Sequence, residues 1–292
     1  MLRKLILPSL VMLPLLSIGQ YGGFSSSMVK AARPTTTVVL LDGGNTAYDR
    51  AITEAVKSNW KATSGFEFVP MADMAMRPIV PELTYLMKVP RVDPEKFEGT
   101  FLMLVQGWKL KKGATVSFEP KGVLNIPSEQ ELASILIDPA ALNDPATAGL
   151  MALYIAHLHD FLEQVEAGKI TDRATADRLY ASRTRLVRDT ELLLATEHID
   201  KNMAESTIKE LYSAPVKLVS KAELMAAVKA GDPGTTISDV VMTVGDHRNK
   251  HCFKRLFNAG SGELVYLSDD QAIFGKKEGF IDADIKNVQR AR

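Results

Sequence analysis

Gly245-Asp246-His247-Arg248-Asn249-Lys250-His251-Cys252 places two imidazoles and a thiol close together in the chain. Imidazole and thiolate are ligands that suit zinc or copper, so His247, His251 and Cys252 are the first candidates for metal binding. A structural zinc asks for a fourth ligand, which Asp246 could supply, but Arg248 and Lys250 oppose a cation and no second Cys/His cluster is matched to this one. A polar loop ahead of a hairpin explains the same residues without metal. Cys252 is the only cysteine. As a nucleophile it would need a base, and no cysteine-protease signature surrounds it.

Asp42-Gly43-Gly44-Asn45-Thr46 is the second candidate. It follows a β-branched run and precedes a helical pattern, where backbone N–H groups of Gly43, Gly44, Asn45 and Thr46 could cradle an anion. The run lacks dinucleotide-binding glycine spacing and a Walker lysine. It resembles the phosphate loop of some acetate and sugar kinase-like folds, yet nothing later in the chain supplies the second phosphate loop that those folds need. A strand-to-helix turn capped by Asn45 or Thr46 is the simpler account.

The third candidate is a surface. Arg173, Arg178, Arg183, Arg185 and Arg188 crowd one stretch, interleaved with Asp172, Asp177, Asp189 and Glu191. Arg178, Arg183, Arg185 and Arg188 are expected to form a partner-binding face, while acid and base alternating on a solvated helix explain the same pattern through weak pairs. His157 and His159 fall on different sides of their helix and cannot share a metal. The residue beside Asp160 suggests a surface pair, and His198 reads as a cation near a helix C-terminus.

These candidates hang on a mixed α/β plan: two small α/β modules flanking a long antiparallel helical hairpin. The expected divisions are residues 1–19 as export signal, 20–34 as a flexible leader, 35–142 as the first module, 145–205 as the hairpin and 206–292 as the second module. Leu150, Tyr154, Leu158, Phe161, Leu162 and Val165 give the first hairpin helix its apolar stripe, and Gly168 ends it, with Thr171 as the next cap. Leu179, Leu186 and Leu193, at steps of seven, extend a second helix toward Met203. Thr37–Leu41, Phe66–Val69, Phe101–Val105, Val216–Val219 and Ile237–Val244 read as strands. Helices are expected at Tyr48–Trp60, Glu129–Ile137, Lys221–Ala230 and Phe280–Val288, with one helical turn at Leu83–Met87. Cys252–Phe257 and Glu263–Leu267 read as a hairpin, and Thr115–Phe118 as a strand folded back on Phe101–Val105.

Length and charge bound the function. The 292 residues are 46% hydrophobic, and 35 basic residues balance 35 acidic ones. No global field draws in nucleic acid or an anionic membrane, so neither is an expected partner. Arg3 and Lys4 ahead of the apolar Leu5–Leu16 run, with small residues at Ser17 and Gly19, read as an export signal cut before Gln20. That run is too short to span a bilayer, so no transmembrane segment is expected after cleavage.

Ala51–Trp60 followed by Phe66-Glu67-Phe68-Val69 resembles a pattern in uncharacterised exported proteins of the Bacteroidetes envelope, and the first module is similar to small α/β domains of periplasmic assembly proteins such as the Tol system. The resemblance implies an exported setting, periplasmic or secreted, and envelope proteins as partners; it implies no active site and no cofactor. Phe66–Met74 and Val216–Leu224 also share apolar positions, an alanine and a following acid, which suggests one module used twice. The expectation is therefore a non-catalytic interaction or assembly component. The alternative is a small-molecule-binding protein or enzyme working at the Asp42–Thr46 turn or at His247, His251 and Cys252.

Overall fold

A computed structural model describes residues 21–93, 97–112, 116–119, 122–144, 148–243, 250–272 and 275–292. The expected export signal, His247 and the end of the Ile237–Val244 strand lie outside the described residues.

The first unit begins with α1 (Ser26–Ala32) and β1 (Thr36–Leu41), then α2 (Ala47–Asn59), β2 (Gly65–Pro70), β3 (Leu83–Asp93), β4 (Phe97–Gln106) and β7 (Glu131–Ile137). A small hairpin, β5 (Ser117–Glu119) with β6 (Gly122–Leu124), interrupts it. Thr46 and Asp49 cap α2 reciprocally, and Tyr48, Ile52, Ala55 and Val56 form its buried stripe. The sheet order is β2-β1-β3-β4-β7. Strands β2 and β3 run parallel to β1, whereas β4 and β7 are antiparallel additions.

The second unit repeats this plan: β8 (Glu191–Ala195), α6 (Glu205–Leu211), β9 (Val216–Val219), α7 (Lys221–Ala230), β10 (Thr235–Met242), β11 (Lys250–Asn258) and β12 (Leu264–Ala272), closed by α8 (Asp282–Arg290). Its order, β9-β8-β10-β11-β12, matches the first strand for strand, in the same directions. The registers match too. Phe66 lies opposite Thr37 as Val216 lies opposite Leu192, and Val89 pairs with Phe101 as Val241 pairs with Phe253. Both outer ladders carry an irregularity at the same place, between Leu104 and Val105 and between Leu256 and Phe257. Side-chain bonds recur: Gln106 Nε2 donates to the Pro81 carbonyl at 2.6 Å, and Asn258 Nδ2 to the Pro233 carbonyl at 2.7 Å. Thr35 and Thr190 each donate to a carbonyl three residues back, Ala32 and Val187. The repeat suspected from Phe66–Met74 and Val216–Leu224 is a repeat in space, with β3 the equivalent of β10.

Between the units lie α3 (Pro139–Leu142), α4 (Leu150–Glu166) and α5 (Arg173–Arg183). Helix α4 is buried on nearly every side, and one apolar cluster runs from α2 and β7 through α4 to Leu224, Ile237 and Phe257 of the second unit.

Several expectations are corrected. The long hairpin is absent: α5 ends at Arg183, a 3-10 turn covers Thr184–Asp189, and Leu193 belongs to β8. Three leucines at steps of seven fell on a helix, a turn and a strand by coincidence, and the Glu191–Ala195 run is a strand buried between neighbours, which periodicity alone cannot tell from helix. Asp172, not Thr171, caps α5. Glu131–Ile137 is strand β7, every residue of it buried, for the same reason. Leu83–Met87 is the start of β3, which tolerates Pro90 because β1 pairs only as far as Leu86. Ser117–Glu119 pairs with β6 and not with β4. The leader is ordered from Tyr21: Tyr21, Val29 and Ala32 are buried, and Gly22 and Gly23 press so closely on Leu132, Ala133 and Glu131 of β7 that a Cβ at either would overlap them.

Candidate functional site

The Asp42–Thr46 turn sits at the carboxyl end of β1, between β2 and β3, the point in such sheets where ligands gather. Gly43, Gly44 and Asn45 all have positive φ, at 89°, 81° and 59°. Of the four N–H groups expected to cradle an anion, those of Gly43 and Thr46 meet a carboxylate of the chain itself. The Asp49 carboxylate accepts from the N–H of Asp42 at 2.7 Å, Gly43 at 3.1 Å and Thr46 at 3.3 Å. An internal carboxylate therefore takes up two of the four donors expected for a phosphate. Below it Lys88 Nζ contacts both Asp42 oxygens, at 2.6 and 2.7 Å, and stands 4.2 Å from the Tyr48 ring centroid. Beside the turn a hollow of about 580 Å³ is lined by Gly43, Gly44, Asn45, Arg50 and Lys57.

The metal candidates separate. Cys252 is fully buried, and burial pushes its thiol up to about 12, which keeps it protonated and shielded at neutral pH. His251, its neighbour on β11, points to the opposite face as alternation requires, with Nδ1 2.8 Å from Asp269. Among the described residues no three His, Cys, Asp or Glu side chains are grouped to hold a metal.

The arginine face divides as well. Arg183 chelates the Asp160 carboxylate and reaches Glu263 at 2.9 Å. Burial alone would raise the Asp160 carboxyl, but the Arg183 bonds outweigh it and hold it below its usual value. Arg188 donates to the Gln289 and Ala291 carbonyls at the end of α8. Only Arg178 and Arg185 of the four remain exposed.

The histidine beside Asp160, expected at the surface, is interior, and so is His157. His157 is buried against Tyr180 and Phe257, and His159 packs edge-on against Trp60 while its Nε2 accepts from the Lys61 N–H. Burial lowers both to about 4. His198 lies in a 3-10 turn after β8, with Nδ1 2.9 Å from Ser238 Oγ.

A cleft of about 550 Å³ escaped the sequence reading because its walls are far apart in the chain. Tyr21 and Tyr180 stack at 5.7 Å on one side, and Tyr266, Leu267, Ser268 and Asp269 of β12 form another. Arg173, Asp177 and Arg290 stand at its rim. Both carboxylates have inner partners: Asp177 accepts from Tyr21 Oη at 2.7 Å, and Asp269 meets His251. The one available signal was Tyr21, an aromatic residue in an otherwise glycine- and serine-rich leader.

Comparison with protein-family models, with curated proteins and with solved structures finds no match to this chain.

Proposed function

We propose that the chain is a non-catalytic, exported component of a bacterial envelope that works by holding partner proteins. The observation that carries this reading is the repeated unit with its matching open edge. Strands β2 and β9 are equivalent, each is partly exposed, and among the described residues no strand pairs with the outer side of either. An unpaired edge offers backbone donors and acceptors to a strand from another chain. On β2 the edge also carries Phe66, 37% exposed, and the following 3-10 turn presents Met76 at 89%. The internal use of Asp49, Arg183 and Cys252 supports the same reading, as does the resemblance of Ala51–Val69 to exported envelope proteins.

Crosslinking in intact source cells, then purification of this chain and mass spectrometry, tests it. Envelope proteins recovered reproducibly, and lost when Phe66 and Met76 are both changed to Asp, are the expected result. A chain recovered alone overturns the proposal. Charge reversal belongs at Arg178 and Arg185, since Arg183 and Arg188 hold the fold together.

The second reading, a small-molecule site at the Asp42–Thr46 turn, is favoured by the hollow beside it. Calorimetric titration with inorganic phosphate separates the two. Binding to the native chain favours the second reading, whereas binding only to Asp49→Asn shows that the carboxylate excludes anions.

A further inference from the structure

Lys254 Nζ is enclosed between two carboxylates, 2.6 Å from Asp270 Oδ2 and 2.7 Å from Asp284 Oδ2, and the lysine side chain is 0% exposed. The trio joins three elements, β11, β12 and α8. Its surroundings are apolar: Val240 is the ladder partner of Lys254, and Tyr266, which bonds Asp284, packs in one cluster with Leu256, Phe280 and Ile285. The repeated plan does not require these charges. By register, Lys254 and Asp270 correspond to Leu102 and Ile137 of the first unit, both buried. The two aspartates differ in their partners. Asp284 is buried, with Tyr266 Oη donating to its Oδ1 at 2.7 Å and the Ile281 N–H to its Oδ2 at 2.9 Å. Asp270 is partly exposed and has a second cation, Lys277, 2.8 Å from its Oδ1.

We propose that this trio closes into an amide crosslink, with the Lys254 amine joined to the Asp284 carboxyl carbon and one water lost. Burial alone would lower the Lys254 ammonium, but the bonds to Asp270 and Asp284 outweigh it and raise it. The reaction therefore waits on a proton that passes from Nζ to Asp284 Oδ2 along the bond already present. That transfer replaces a buried ion pair by an uncharged amine and acid, the forms that burial favours. The free amine attacks Asp284 Cγ, Tyr266 Oη stabilises the charge that grows on Oδ1, and Asp270 takes the proton that the nitrogen sheds. Asp270 then returns that proton to the departing Oδ2, the Cγ–Oδ2 bond breaks and water leaves. The Nζ–Cγ bond is formed, nothing is oxidised or reduced, and no co-reactant is consumed. Two groups held in contact by the fold supply the effective concentration that amide formation in water lacks. The link ties β11 to α8 across 30 residues and is a staple open to a chain whose only cysteine is Cys252. It goes beyond the interaction reading and does not depend on it.

The test is the intact mass of the purified chain, followed by proteolysis and tandem mass spectrometry. A mass lower by one water than its mapped ends require, with a branched peptide joining Lys254 to Asp284, is the expected result. Lys254→Arg keeps the positive charge but replaces the amine by a guanidinium, and the branch should be absent from it. Asp270→Asn keeps the shape and removes the proton carrier, and should form the branch about 100-fold more slowly. A folded native chain that keeps its full mass through days of incubation at neutral pH would overturn the proposal. So would a branch to Asp270 in place of Asp284, or a water lost equally from Lys254→Arg, which marks cyclisation of an aspartate such as Asp42 before Gly43. The native chain decides the question by itself, so a variant that fails to fold leaves the test intact.

Discussion

Arg255 of the second unit donates from Nη1 to the Leu136 carbonyl of the first at 2.8 Å, while its Nη2 lies 2.6 Å from the Asp239 carboxylate. Asp239 also accepts from Tyr154 Oη of α4, so one buried ion pair ties both units to the helix between them. The pair spans β10 and β11 at the position where the first unit has Met87 opposite Met103. Arg255→Met alone leaves Asp239 buried and unpaired and is expected to cost about 3 to 5 kcal/mol in urea unfolding. Asp239→Met with Arg255→Met recreates the methionine pair and should recover most of that loss. A double variant no more stable than the single would show that the Leu136 and Tyr154 bonds dominate.

Acid should unfold this protein earlier than its balanced charge suggests. His157 and His159 are held near 4 by burial, below the value of about 6.5 for an exposed imidazole. The folded values are depressed, so the unfolded chain binds more protons between about pH 6.5 and 4, and stability is lost as pH falls through that window. The two groups together contribute a loss on the order of several kcal/mol. Chemical denaturation from pH 7 to pH 4 measures the slope, and His157→Phe, which removes one titrating group, should flatten it. An unchanged slope would mean that His157 stays neutral by another route or is not buried in solution.

Gly22 sets how closely the leader lies on β7. Gly22→Ala places a methyl group against the Ala133 backbone and is expected to destabilise by about 1 to 3 kcal/mol. Gly65→Ala is the control, since a Cβ there meets nothing nearer than 4.0 Å. Melting temperatures of the two variants check the contrast, and equal values would show that the leader is not seated on the strand.

Cys252 should report on the opening of the second sheet. Its thiol is fully buried within β11 and pushed up to about 12, so labelling by a thiol reagent near pH 8 should wait for unfolding and accelerate with urea. Fast labelling of the native chain would reveal local opening of the β10–β11–β12 ladder.

What the sequence allowed to be read was local. Thr37–Leu41, the α2 pattern and its Thr46 cap, the Cys252–Phe257 hairpin arm, and the Lys221–Ala230 helix are each set by neighbouring residues, and each is present. Glu131–Ile137 and Glu191–Ala195 were misread because a strand covered on both faces loses its alternation. The Asp42–Thr46 turn was identified, but its occupant was not, since only the folded turn shows that Asp49, several residues on, supplies the anion. The arginines were seen as a face because spacing cannot reveal that Asp160 lies across from Arg183. The cleft needed Tyr21, Tyr180 and Tyr266 together, and no pattern within the chain links them.

The matched ladders carry a hazard of their own. Two sheets with the same order, direction and irregularity offer each growing strand two slots of nearly the same shape. Side chains decide between them: β4 carries Leu102 and Met103 where β11 carries Lys254 and Arg255. In its own sheet Lys254 reaches Asp270 at 2.6 Å and Asp284 at 2.7 Å, and Arg255 finds Asp239. Set into the first sheet, β11 would bring two cations into an apolar core that holds Met87 where Asp239 should be, at a cost of several kcal/mol for each uncompensated charge. The buried charges thus act as an address, directing each strand of a repeated fold to its own half.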